Sequence, residues 1–376
     1  MTPRKGDLLG PVGGGLSWIS GEGPHSDIIL STRIRLARNL ERFPFRETIT
    51  EPQQEILTED VLQAHREATG GGERHQFLRL VELEENDLTL LLERHLVSAE
   101  MIKFREASAL IVGEEGRVAL LLNEEDHLRI QVLTPGLQLE EAWETAGRTE
   151  RALRQRVDFA YHHQFGFLTS CPTNTGTGLR ASILIHLPGL VLTREIHKVL
   201  QGLAQIGLTF RGLYGEGSDV IGNYFQLSNQ TTLGKSEEEL VSHLEQITGQ
   251  VIEYEENARQ VLVRDALDEI EDKVWRAWGL LSHARSMSFD EMMNLLSAVR
   301  LGVSMKLLPE IGVSTLNKLL LWTQVAHLQE RAGRVLTKGE REVERAALIR
   351  EILDGEGNAG GSDGDQDSGG DSRGEP

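Results

Sequence analysis

The stretch NEEDHLRIQVL, residues 123–133, changes character half-way along. From His127 onward it alternates: Leu128, Ile130 and Val132 fall on one side and Arg129 and Gln131 on the other. A period of two is that of a half-buried strand, so Arg129 points away from the packed face. The first half crowds Glu124, Glu125, Asp126 and His127 into consecutive positions just ahead of that arginine. Metal binding, acid–base work and surface decoration are all open readings of such a cluster.

Working outward, SALIV (108–112) and RVALLL (117–122) flank a turn at Gly113–Gly116 and read as a β-hairpin. RASILIHL (180–187) alternates again, with Ala181, Ile183, Ile185 and Leu187 opposite Arg180, Ser182 and His186. Residues 207–213 and 223–228 read as two further strands. A helix is expected after Pro188, its stripe made of Leu192, Ile196, Val199, Leu203 and Ile206. These elements imply a mixed or antiparallel sheet with helices against it, α+β in class. From about residue 257 the spacing changes to four and three, through Val263, Leu267, Ile270, Val274, Ala277 and Leu281. With helical patterns at 289–301, 314–331 and 338–352, this predicts a separate all-helical domain over 258–353 after a catalytic-type domain over 26–257.

The ends read differently. Residues 1–25 lack an apolar signal-peptide core and are expected to be a flexible lead-in. Residues 354–376, rich in Gly, Asp and Ser, cannot bury a core and are expected to be a disordered acidic tail. The net charge is −19, of which eight acids and one arginine in residues 351–376 supply −7. An acidic body argues against nucleic acid and suits basic partners. Cys171 is the single cysteine, which excludes an internal disulfide and fits a reducing cytoplasm. No membrane-length apolar run occurs.

Four short segments place arginine or glycine at sharp transitions. STRIR (31–35) sets Arg33 and Arg35 on one strand face; NEEDHLR carries Arg129; CPTNTGTGLRAS (171–182) is a glycine-rich turn leading to Arg180; RGLYGEGS (211–218) carries Arg211 and Glu216. Five guanidiniums suit a triphosphate, because each binds phosphate oxygens bidentately and keeps its charge. Neither a GxxxxGK[ST] loop nor a protein-kinase motif set is present.

In this order and spacing the four segments resemble those of the phosphagen (guanidino) kinase family. The resemblance implies nucleotide contacts from Ser31, Thr32, Arg33, Ile34 and Arg35, from His95 and Arg129, from Arg180, Ala181, Ser182, Ile183 and Leu184, and from Arg211, Gly212, Leu213, Tyr214, Gly215 and Glu216. It further implies that Glu125 and Glu216 clamp the substrate guanidinium, that Glu125 takes its proton, and that the Cys171 thiol lies beside it. Glu124 would support Mg²⁺ through water or hold the loop. ATP and Mg²⁺ are the implied cofactors, and no protein metal ligand is assigned.

Small-guanidine kinases carry a helical domain ahead of the STRIR-like strand, whereas here 30 residues precede Ser31 and the helical region follows residue 257. Both features resemble the bacterial protein arginine kinases. That branch implies arginine-bearing protein substrates, among them a heat-shock repressor and misfolded proteins, a Clp-type ATPase and protease downstream, a zinc-binding activator protein, and a homodimer or higher oligomer. It also implies a phosphoarginine-sensing pocket at REVERA (341–346), built on Arg341, Glu342, Arg345 and Ala346, with Glu342 where that branch has aspartate. A kinase for free arginine or another small guanidine, and an inactive adaptor, are the alternatives.

Overall fold

The computed structural model describes residues 16–70, 75–212, 220–308 and 311–359. Ten strands are described: β1 (Ile29–Arg38), β2 (Gln76–Arg79), β3 (Ala109–Gly113), β4 (Val118–Leu122), β5 (Leu128–Pro135), β6 (Tyr161–His162), β7 (Gly166–Phe167), β8 (Leu179–His186), β9 (Leu208–Gly212) and β10 (Tyr224–Asn229). Eight form one sheet in the order β2-β3-β4-β5-β1-β8-β10-β9, and β6 and β7 pair separately. Every pairing is antiparallel, which resolves the choice between a mixed and an antiparallel sheet.

One sheet face is apolar. Ile34 and Leu36 of β1, Ile130 and Val132 of β5, and Ala181, Ile183 and Ile185 of β8 all enter one buried cluster. Helices α1 (Glu51–Ala68), α4 (Leu139–Arg154), α6 (Ile196–Gln205) and α7 (Glu237–Asp265) close over it. Each fully buried Leu, Ile or Val in that cluster contributes about 1.5–3 kcal/mol. On the opposite face, helices α2 (Glu85–Glu93) and α3 (Ala99–Lys103) cover the β2–β4 end, through Leu78, Leu110, Val112, Ala119 and Leu121. The middle of that second face is left for polar side chains.

The helix after Pro188 is two helices, α5 (Pro188–Leu192) and α6, broken where Arg194 turns left-handed at φ 63°. Ile206, expected on the stripe, is exposed. The helical region comprises α8 (Leu267–His283), α9 (Phe289–Ser304), α10 (Val313–Trp322), α11 (Val325–Ala332) and α12 (Lys338–Ala359). The long helix expected across residue 265 is interrupted at Ala266, where φ is −148°, and α7 runs continuously through the boundary expected at 257/258. Nor does the region stand apart from the sheet. Its core takes in Leu30, Leu184 and Tyr224, and buried Arg300 of α9 donates to Asp27 O at 3.2 Å and to Asn317 Oδ1 at 2.7 Å.

Two further expectations are corrected. Residues 16–25 are not a loose lead-in: Leu16, Trp18 and Ile19 are buried against Leu133 and Leu321, because LSWI is apolar enough to pay its own ordering entropy. At the other end, α12 continues to Ala359, inside the segment expected to be disordered.

Candidate active site

The register assembles the predicted arginines. On β1, Arg33 lies opposite Ser182, and Arg35 lies opposite both Arg180 and Gln131. Arg129 of β5 is level with Ala37, and Gln226 of β10 joins Leu184 on one side to Arg211 of β9 on the other. Cross-strand partners share a sheet face. Arg33, Arg35, Arg129, Arg180 and Arg211 therefore rise from the face that α2 and α3 leave open. The alternate residues Thr32, Ile34, Ala181 and Ile183 point the other way. Thr32 donates its hydroxyl to Gly136 O at 2.6 Å, and the other three are core, so these four side chains do not reach the arginine face.

The arginines repel one another. Burial, then Arg180 and Arg129, pull the Arg33 guanidinium down to about 10. Burial, then Arg33, Arg129 and Arg180, pull Arg35 well below its ordinary value, with Glu124 opposing. Arg35 Nε is buried with no hydrogen-bond partner among the described residues. Cations held together at this cost are relieved by a polyanion. His95, at φ 60°, is lowered to about 3 by burial and by Arg33, so it stays a neutral imidazole in the physiological range.

Two cavities meet at Ala99. One, of about 450 Å³, is lined by Ser31, Arg33, His95, Ser182, Leu184 and Gln226, together with Thr89, Leu92, Glu93, Leu133 and Gln324. The other, of about 650 Å³, is lined by Arg46, Glu100, Glu124, Glu125, Arg129 and Arg211. A cavity of about 730 Å³ between α6 and α7 is lined mainly by apolar residues such as Leu203, Val251 and Tyr254, with Lys198 as its one cation.

The acidic loop divides its labour. Glu124 is buried; its Oε1 accepts from Ser98 Oγ and Arg129 Nη1, both at 2.6 Å. It holds the loop, the second of its two expected roles. Glu125 is half-exposed; its Oε2 accepts from Arg129 Nη2 at 3.3 Å and from Asn174 Nδ2 at 3.4 Å. Asp126 Oδ1 accepts from Asn39 Nδ2 at 2.7 Å and from Ser170 N at 2.8 Å, which brings the Cys171 turn up to the loop. His127 Nδ1 accepts from Leu40 N at 3.1 Å and its Nε2 faces Pro44 O at 2.9 Å, which defines a neutral tautomer with the proton on Nε2. Cys171 Sγ lies 2.9 Å from Thr173 Oγ1 on the half-buried turn. The turn needs its glycines. Gly178, at φ +62°, would place a Cβ 2.6 Å from Ala37 O, and Gly176, at φ +116°, would drive one into Thr232 O.

Gly212 ends β9. Leu213, Tyr214, Gly215 and Glu216 lie outside the described residues. Of the REVERA set, Arg345 and Ala346 are buried and Arg341 and Glu342 half-buried on α12, and none of them lines either cavity. Ser98, Asp126, Asn174, Arg46 and Gln226 were not singled out from sequence. Asp126 and Asn174 were within reach of such a reading, since both stand inside the quoted motifs.

Residues 57–258 match the description ATP:guanido phosphotransferase, C-terminal catalytic domain, and residues 267–362 match that of the protein-arginine kinase McsB C-terminal domain. The chain belongs to the ATP:guanido phosphotransferase family and is an ATP-dependent guanidino kinase. Within that family it is similar to protein-arginine kinases. That of Symbiobacterium thermophilum is 49% identical over 338 residues, covering 89% of this chain and 96% of that protein. That of Geobacillus kaustophilus is 45% identical over 339 residues, covering 90% and 93%. Among solved structures, lombricine kinase superposes with a TM-score of 0.56 at 22% identity, covering 65% of this chain and 69% of that one. The duplicated taurocyamine kinase of Schistosoma mansoni with bound transition state analog components does so with a TM-score of 0.55 at 25% identity, covering 68% and 36%.

Proposed function

We propose that the chain transfers the γ-phosphoryl group of ATP to arginine side chains of proteins. The observation that carries this reading is the half-exposed Glu125 carboxylate, set beside Arg129 and Arg211 at an open cavity, in a chain whose relatives are protein-arginine kinases. The nucleotide lies along the arginine face with its phosphates on Arg33, Arg35, Arg129, Arg180 and Arg211. A guanidinium is a poor nucleophile because its lone pairs are delocalised and protonated. Glu125 orients it and accepts one N–H proton as the new N–P bond forms and the bond from Pγ to the β-bridging oxygen breaks, releasing ADP. The arginines offset charge on the transferring group. Glu216 is the second clamp, and the Cys171 thiol lies beside the guanidinium. With Glu124 engaged by Arg129 and Ser98, Mg²⁺ enters as MgATP, held by phosphate oxygens and water.

The remaining expectations belong to the same proposal. Phosphoarginine would mark misfolded proteins for a Clp-type ATPase and protease and inactivate a heat-shock repressor in the cytoplasm, with a zinc-binding activator as a further partner. Arg341 and Arg345 would sense phosphoarginine. Val261, Val263, Trp275 and Leu280, exposed on α7 and α8, support a homodimer through the helical region, which sedimentation equilibrium tests.

The central experiment incubates an arginine-rich protein with this chain and MgATP and reads it by mass spectrometry without acid, since the N–P bond is acid-labile. Phosphate on arginine that disappears in Glu125→Ala, with nucleotide affinity retained, is the expected result. Turnover of free arginine with no protein label would transfer the reading to small guanidines.

A further inference from the structure

One wall of the smaller cavity comes from the helical region rather than from the sheet. Gln324, at the corner between α10 and α11, lines it together with Ser31, Leu184 and Gln226. The corner is held from two directions. Glu93 caps the start of α11, accepting from Ala326 N at 2.8 Å and from His327 N at 3.2 Å, with its Oε2 2.8 Å from His327 Nδ1. Behind it, buried Arg345 donates Nε to Thr323 O at 3.0 Å. The chain is thus anchored on either side of Gln324, at Thr323 and at Ala326, and its own Nε2 spends one hydrogen on Leu320 O at 3.4 Å.

The cavity has a direction. Arg33 marks one end, and Arg35 and Arg180 lie one step further along β1 and β8. Ser31, Leu184 and Gln226 form the next row the other way, where Leu184 supplies apolar surface; Leu133 pairs with Arg33, and Leu92 also lines the cavity. A nucleotide with its phosphates on the guanidiniums puts its base beside Leu184. A base buried so needs its polar edge satisfied. A carboxamide offers an acceptor and a donor side by side, the pattern that adenine's 6-amino group and adjacent ring nitrogen require.

We propose that Gln324 is a nucleotide-binding residue supplied by the helical region, hydrogen-bonding the 6-amino edge of adenine. The proposal rests on the reading that ATP occupies this cavity. Its consequence is that nucleotide affinity depends on how the helical region is seated, through Thr323 and Arg345.

The test is direct binding of MgATP, of purine riboside triphosphate, which lacks the 6-amino group, and of tripolyphosphate, which lacks the base. Gln324→Met keeps side-chain length and removes the amide; Gln324→Ala serves as a second variant. Both should weaken ATP roughly tenfold, leave tripolyphosphate unchanged, and erase the preference for ATP over the purine analogue. Unchanged ATP affinity overturns the proposal, as does equal weakening of ATP and tripolyphosphate. Arg33→Ala separates the two levels. If that variant binds ATP and tripolyphosphate normally, the underlying placement of the nucleotide fails. If it loses both while Gln324→Met binds ATP normally, only the role of Gln324 fails.

Discussion

Glu124 and Arg129 are both largely buried, at 3% and 13% side-chain exposure, and are joined at 2.6 Å, whereas the Glu125 side chain is 40% exposed and only 3.3 Å from the same guanidinium. Removing one partner of a buried pair strands the other charge, at about 3–5 kcal/mol. Glu124→Ala should therefore lose stability on that scale in chemical denaturation, and should weaken nucleotide binding because Arg129 loses its orientation. Glu125→Gln should do neither, yet lower kcat by about 10²–10⁴, the usual contribution of a general base. Equal loss of stability in both variants would mean that the two carboxylates share one structural role. The same contrast of surroundings separates the arginines of STRIRLAR. Arg33 lines the smaller cavity and Arg35 shares its sheet face, but Arg38, one register step out of phase, is fully buried. Its Nε lies 3.3 Å from Glu150 and its Nη2 3.1 Å from Glu237, and its guanidinium sits 3.6 Å from the centre of the Phe167 ring.

At the level of elements, α12 shows how a motif proposed for sensing can also be a strut. Arg345 gives Nε to Thr323 O and Nη1 to Met287 O, so it joins the end of α10 to the segment before α9. Arg345→Ala would leave two buried carbonyls unpaired, at about 1–3 kcal/mol each. Arg341→Ala, on a half-buried side chain, should stay within about 0.5 kcal/mol. Thermal unfolding of the two single variants checks this, and similar losses in both would refute the strut. A variant removing both arginines therefore does not isolate phosphoarginine sensing, while Arg341→Ala does. The alternating strands were legible because each buries one face, and the four arginine segments because their residue types suit phosphate. What could not be read was long-range or local in a way that periodicity ignores. The sheet order depends on pairings across more than a hundred residues. The helix breaks at Arg194, Ala266 and Thr323–Gln324 interrupt apolar stripes that run on regardless. Gln324 reaches the smaller cavity through the seating of the α10–α11 corner on Glu93 and Arg345, and no motif announces that.

On the scale of the whole molecule, the fold buries neutral histidines in every layer. His95 is held at about 3 and His65 at about 4, mainly by burial, and burial also lowers His127, His186 and His327. In the unfolded chain each returns to about 6.5. Above that value neither state binds these protons, and the histidines leave stability independent of pH. As pH falls below about 6.5 the unfolded chain takes up protons that the folded chain refuses, so stability declines until the folded values near 3–4 are reached. Carboxylates lowered by hydrogen bonds to arginine, such as Glu55 and Glu351, act with the same sign at lower pH, as does Glu340, lowered to about 2. Buried Glu255, raised by desolvation, acts the other way but is one group against several. The Tm should thus be level above pH 7 and fall steadily from about pH 6.5 towards 4. Calorimetry in two buffers of different ionisation enthalpy should register net proton uptake on unfolding at pH 5.5 and much less at pH 7.5. A Tm that stays level down to pH 5 would mean that the buried imidazoles accept protons in place, and with them that the neutral His95 beside the arginine face is wrongly assigned.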